Sequence, residues 1–125
     1  MSSLILGGNM MEIAVIIVLV VAFIAWRMMP AKGIQSISTE QLKTILNDRD
    51  KVFIDVRTPG EYKGRNIRQF KNIPLGSDFS KLPKDKEIVV ICQSGMRSSQ
   101  ACKQLKKLGY QKITNVRGGM SAWRG

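Results

Sequence analysis

With 125 residues, the chain can hold one modest domain core and little else. Its 20 Lys and Arg outweigh 9 Asp and Glu for a net charge of +11. That charge comes without a dense basic run and with few aromatics, so nucleic-acid binding is not expected. Two cysteines cannot make a disulfide framework and there is no histidine, so a nucleophile here must be activated by something other than an imidazole.

From Ile13 to Trp26 every residue is apolar, and the stretch 10–29 would form about 30 Å of helix, interrupted only by Glu12 and Arg27. That length spans a bilayer. A cleaved secretory signal would carry basic residues ahead of the apolar run and a small-x-small site behind it, and neither is seen, so a membrane helix is expected over a signal or a buried core helix. All basic residues lie from Arg27 onward. The positive-inside rule then predicts a single-pass protein of the cell membrane, its N-terminus outside and the remainder in the cytoplasm. Residues 1–29 read as the anchor segment, 30–36, punctuated by Pro30 and Gly33, as a linker, and 37–125 as the folded domain. From Arg27 onward 20 basic side chains face eight acidic ones, a balance that draws the domain toward anionic headgroups or gives a scattered solvated surface.

Ser38-Thr39-Glu40-Gln41 has the form of a capping box, and Leu42, Ile45 and Leu46 give one apolar face to a helix over about 39–47. A strand follows from Lys51 to Val56. Thr58, Pro59 and Glu61 then supply the N-cap, first-turn proline and N3 acid of a short helix. Ile88 to Ile91 is a four-residue β-favouring run suited to a buried strand, and it leads directly into Cys92-Gln93-Ser94-Gly95-Met96-Arg97 and a Lys-rich helical pattern ending at Gly109. Ile113 to Val116 makes one more strand, and Gly118-Gly119 a turn into a short terminal helix. Strands alternating with helices predict an α/β domain, a central parallel sheet flanked by helices.

Cys92 is the candidate nucleophile. Between a strand end and a helix N-terminus, a thiolate meets inward-facing amides and the positive end of the helix, with Arg97 as a nearby cation. Without further motifs, a thiol there would more often be simply buried. Asp55, at the end of an apolar strand with no partner base, reads as an acceptor for loop amides. Arg57 and Glu61 are four apart, so Arg57 either bridges to Glu61 at the helix start or turns to an anionic substrate; both remain open. Cys102 lies well up the helix after Cys92, too far for a disulfide that needs Cα atoms within ~7 Å, and belongs to the stripe of Ala101, Leu105 and Leu108. Trp123 reads as a core or cap anchor.

Three ordered motifs resemble the rhodanese family. Cys92, Gly95 and Arg97 match its Cys-x-x-Gly-x-Arg loop. Asp55-Val56-Arg57 with Glu61-Tyr62 matches its Asp-Val-Arg-x-x-x-Glu-Tyr segment, with Asn72-Ile73-Pro74-Leu75 after it. Gly118-Gly119 followed by Trp123 matches its closing Gly-Gly-x-x-x-Trp. Together they cover roughly residues 34–125. Where the family usually has Gly-His-Ile-Pro-Gly-Ala, this chain has Arg65-Asn66-Ile67-Arg68-Gln69-Phe70, so Asn66 replaces the imidazole. Gln93 and Ser94 stand where many thiosulfate-using members carry basic residues.

The resemblance implies a rhodanese-like domain behind one transmembrane helix and a sulfurtransferase without metal or cofactor. Cys92 would take sulfane sulfur from a donor such as thiosulfate or polysulfide, hold it as a persulfide, and pass it to a thiol, a cyanide-like acceptor or a protein. Gln93, Ser94, Gly95, Met96, Arg97 and Arg57 would bind the substrate, with Asp55 and Glu61 as structural support. Anion attraction would then rest on backbone amides, Arg97 and Arg57. A non-catalytic, membrane-tethered interaction or redox-sensing module is the alternative. A phosphatase or arsenate reductase is disfavoured because only four residues separate Cys92 from Arg97, too few to ring a tetrahedral oxyanion.

Overall fold

The computed structural model describes residues 9–28 and 33–125. Residues 1–8, expected outside the cell, and residues 29–32 of the anchor end and linker lie outside the described residues. The chain separates into two units between residues 30 and 31.

The first unit is helix α1, Asn9–Met28. Its window Asn9–Trp26 has a mean hydropathy of 2.4 and no buried residues, so it is long and apolar enough to cross a membrane, as a signal sequence also is.

The second unit is an α/β domain. Its elements run β1 (Ile34–Ile37), α2 (Thr39–Ile45), β2 (Lys51–Asp55), α3 (Pro59–Gly64), β3 (Lys71–Asn72), a 3-10 turn (Phe79–Lys81), β4 (Glu87–Ile91), α4 (Met96–Lys107), β5 (Ile113–Val116) and α5 (Gly119–Ala122). The five strands lie in the order β1-β5-β4-β2-β3, all parallel. β1 corrects the expected linker: Ile34–Ile37 pairs with Ile113–Val116, so the fold begins inside the segment read as a tether.

Burial on both faces explains the unbroken apolar run of β4. Ile88, Val90 and Cys92 face a core with Ile54, Val56, Ala101, Cys102, Leu105, Tyr110 and Ile113. Val89 and Ile91 face the other way, onto Leu42, Phe53, Ile67, Phe70, Val116 and Met120. Period-two alternation along a strand buried on both sides therefore delivers Cys92 to the α4 side of the sheet.

Both expected capping boxes form. Ser38 Oγ accepts from Gln41 N at 3.1 Å and Gln41 Oε1 from Ser38 N at 2.9 Å. Thr58 and Glu61 do the same at the start of α3, with Pro59 in the first turn.

Strand order decides where a site can form. From β2 the chain moves to β3 on one side, while from β4 it moves to β5 on the other, so the carboxyl ends of β2 and β4 flank a topological switch point. Asp55 lies in register with Ile91, and Val56 N donates to Ile91 O at 3.0 Å. The loops that begin at Val56 and Cys92 therefore leave the sheet side by side.

Candidate active site

Cys92 ends β4 with no exposed surface. Its Sγ accepts from the Gly95 backbone N–H at 3.0 Å and donates to Ser98 Oγ at 3.3 Å, while the Ser98 hydroxyl donates to Gly95 O at 3.0 Å. When the sulfur ionises, that hydroxyl can turn its proton to it. Burial pushes the thiol up, but the Ser98 hydroxyl and the amides of Ser98, Gly95 and Ser94 outweigh burial and hold Cys92 below the ordinary thiol range. Amides, one hydroxyl and a helix N-terminus thus favour the thiolate form of Cys92.

The loop can wrap the sulfur because Gly95 caps α4 at φ +106°, a conformation closed to most side chains. A second glycine serves the same loop from outside. Met120 N donates to Cys92 O and Ser121 N to Gln93 O, both at 2.9 Å, so the first turn of α5 holds the loop carbonyls. A Cβ at Gly119 would collide with Cys92 O. The Gly-Gly pair, legible from the sequence only as a turn, is the point where the terminal helix comes close enough to fasten the cysteine loop.

The two arginines take partners other than those expected. Arg97 donates to both carboxylate oxygens of Glu61, at 2.7 and 2.9 Å, across 36 residues of sequence. That fork, with the Thr58 amide, holds the Glu61 carboxyl down to about 2, and the Glu61 carboxylate raises Arg97. Arg97 is therefore not a free cation beside Cys92. Arg57 is 2% exposed. Its Nε and Nη2 donate to Asp55 at 2.8 to 3.1 Å and Nη2 also to Arg65 O at 2.6 Å. The expected bridge from Arg57 to the Glu61 carboxylate does not form, since Arg57 reaches the carbonyl of Glu61 instead and its charge faces Asp55 in the interior. Asp55 also accepts from the Arg57 N–H at 3.0 Å.

Gln93 is gripped from both sides: Arg57 Nη1 donates to its Oε1 at 3.3 Å, and its Nε2 donates to Ser121 Oγ at 3.1 Å. Ser94 and Met96 are the exposed residues of the loop, Met96 at 75%. Asn66, at the family's imidazole position, donates to Tyr62 O at 2.8 Å. Arg65 was not among the expected site residues, yet its Nη1 donates to Met120 O at 3.0 Å and Nη2 to Trp123 O at 2.6 Å, clasping α5. Such a contact joins positions more than 50 apart and has no local pattern. Cys102 is also without exposed surface, and burial, with the charge of Cys92, pushes its thiol up to about 12. A concavity of about 440 Å³ between Gly33, Glu87 and Lys112 adjoins the N-terminal ends of β1, β4 and β5, the opposite end of the sheet from Cys92, and is lined by no cysteine. Among the described residues no cluster of His, Cys, Asp and Glu suits a metal ion.

The rhodanese-like domain family matches residues 38–125. The chain belongs to that family. A putative sulfurtransferase of Bacillus subtilis, YtwF, is 45% identical over 96 residues, which is 74% of this chain and 92% of that protein. A sulfurtransferase of Allochromatium vinosum is 37% identical over 94 residues, 72% of this chain and 88% of the relative. Among solved structures, a rhodanese-like domain protein from Staphylococcus aureus superposes with a TM-score of 0.64 at 33% identity, covering 71% of this chain and 90% of its own. At family level this rhodanese-like chain is thus of the sulfurtransferase type, with its one cradled thiol at the sheet's switch point.

Proposed function

We propose that this chain is a membrane-anchored sulfurtransferase whose Cys92 carries sulfane sulfur as a persulfide. The observation that carries the reading is the Cys92 sulfur held by the Gly95 amide at 3.0 Å and touching the Ser98 hydroxyl, a setting that favours the thiolate without a general base. The Cys92 thiolate attacks the outer sulfur of a donor, the donor's S–S bond breaks, and its electron pair leaves with the remainder, as sulfite or a thiolate. An acceptor nucleophile, a thiolate or cyanide, then attacks the outer sulfur and returns the Cys92 thiolate. No electrons are supplied from outside. The amides of Ser94, Gly95 and Ser98 favour the Cys92 thiolate, the state from which the cycle starts and to which it returns.

The described 20-residue α1, with every basic side chain after Glu12, supports a single-pass anchor with the domain in the cytoplasm. Sulfur transfer from thiosulfate or polysulfide to cyanide, measured on the full chain in detergent, tests the chemistry. Activity is expected in the wild type and absent in a folded Cys92→Ser variant; activity surviving in that variant contradicts the reading. Protease protection of membrane vesicles tests the topology: the domain should be cleaved only when its cytoplasmic face is accessible.

A further inference from the structure

We propose that Lys84, Lys86, Lys106, Lys107 and Lys112 form a docking face for anionic phospholipid headgroups, leaving the cysteine loop, at the other end of α4, facing away from the bilayer. The inference rests on the membrane-anchor reading of α1 and names the surface by which the anchored domain meets the lipid.

Position is the first argument. α4 leaves the cysteine loop at Met96 and runs 12 residues to Lys107, about 18 Å, so its last turn stands near the N-terminal ends of the strands. Lys106 and Lys107 lie in that turn. Lys84 joins them, its Nζ donating to Leu108 O at 2.7 Å and lying 5.4 Å from the centre of the Tyr110 ring. Lys86 and Lys112 directly precede β4 and β5, and Lys112 O accepts from Ile88 N at 2.9 Å. The chain enters the domain at the same place: a Cβ at Gly33, the residue before β1, would collide with Lys106 Nζ. Only residues 29–33 separate α1 from β1, a reach of at most about 20 Å. A span in α1 therefore holds these lysines at high effective concentration beside the headgroups.

Charge is the second. All five lysines are exposed, and none of them makes an ion pair among the described residues. Glu87, between them, is taken by Thr114 Oγ1 at 2.9 Å and by Lys51 at 3.7 Å, which leaves Asp85 against five cations. At the cysteine end the guanidiniums of Arg57 and Arg97 are matched by Asp55 and Glu61 instead. An ammonium is a compact point charge that meets a phosphate without fixed geometry, and each one near an anionic bilayer adds to the attraction.

Surface chemistry selects lipid over a soluble polyanion. Leu108 is 39% exposed among these lysines, and an apolar side chain gains at the boundary between headgroups and acyl chains. The aromatic ring at this end, Tyr110, is buried and offers no face on which a base could stack.

The test is a lysine footprint of the full chain in nanodiscs of phosphatidylcholine, alone or with about 30% phosphatidylglycerol, neither of which carries an amine. Acetylation rates are read lysine by lysine by peptide mass spectrometry. In anionic discs the five lysines should react about three- to tenfold more slowly than in neutral ones, while Lys63 and Lys71, on α3 and β3, keep their rates. Salt at about 0.5 M should remove the protection. A Lys106→Gln, Lys107→Gln double variant should release Lys86 and Lys112 in anionic discs. Its circular dichroism should match wild type and its sulfur transfer in detergent should stay within about twofold. Equal rates in the two discs, or protection undiminished by salt or by the double substitution, overturn the lipid face and leave the anchor reading standing. Protection by an RNA duplex in neutral discs, with none by phosphatidylglycerol, overturns it in favour of nucleic acid. A chain that does not enter the discs overturns the anchor reading and this inference together, and leaves the sulfurtransferase reading untouched.

Discussion

A thiol with no exposed surface is a poor nucleophile unless its anion is stabilised more than burial penalises it, and at Cys92 the balance is tipped by Ser98 and three amides. Ser98→Ala removes the hydroxyl and leaves the amides. The pH midpoint of Cys92 alkylation should then move upward, measured as rate against pH with a small haloacetamide; a midpoint unmoved or lowered would show that the amides alone set the thiolate. Cys102 gives the contrast, since burial without hydrogen-bonding partners drives the same side chain to about 12. Cys102→Ala should cost about 1 kcal/mol of stability through the small cavity it leaves, read from denaturant unfolding, and leave sulfur transfer within about twofold. Both cysteines were legible in the sequence, one at a strand end before a glycine loop and the other in a helical apolar stripe. The lowering at Cys92 was expected from its place at a helix N-terminus, but the part of the Ser98 hydroxyl in it was not, because that contact depends on the loop path set by the Gly95 conformation.

At the level of elements, long-range partners make the site. The Arg97–Glu61 fork ties the start of α4 to the first turn of α3, two elements the sequence presents separately. Local spacing offered Arg57 for Glu61, at four apart on a helix start, but Arg57 precedes the helix and its side chain turns inward to Asp55. Glu61 has a folded-state carboxyl at about 2 against an ordinary 4.5, so its contribution is present above about pH 4.5 and lost as pH falls through 2. The difference in Tm between wild type and Glu61→Gln should be constant above about pH 5 and shrink between about pH 5 and 2. A constant difference down to pH 2 would mean that the ion pair adds nothing. Arg65 makes a second tie, to α5, which in turn holds the Cys92 and Gln93 carbonyls. Arg65→Ala should speed amide exchange at Met120 and Ser121 and lower kcat more than it raises KM, whereas exchange equal to wild type would show that α5 keeps its place without the clasp.

On the scale of the whole molecule, the fold follows from patterns a sequence displays well. The doubly buried β4, the two capping boxes and the strand-helix alternation pointed to a parallel α/β sheet, and the described domain has one. The edges were harder to see. Ile34-Gln35-Ser36-Ile37 carries two apolar residues and no alternation, and β3 is two residues long, so neither had enough pattern to register as a strand. Parallel order also explains the place of the chemistry: the switch point between β2 and β4 brings the Asp55–Arg57 pair and the Cys92 loop to the same end of the sheet. Sulfur carried on Cys92 is the central claim. Its most direct test is intact and peptide mass spectrometry of the full chain after incubation with thiosulfate or a polysulfide. The expected result is one cyanide-removable sulfur atom on the Cys92 peptide and none on the Cys102 peptide. A folded protein that gains no sulfur at Cys92, or gains it equally at Cys102, would contradict it.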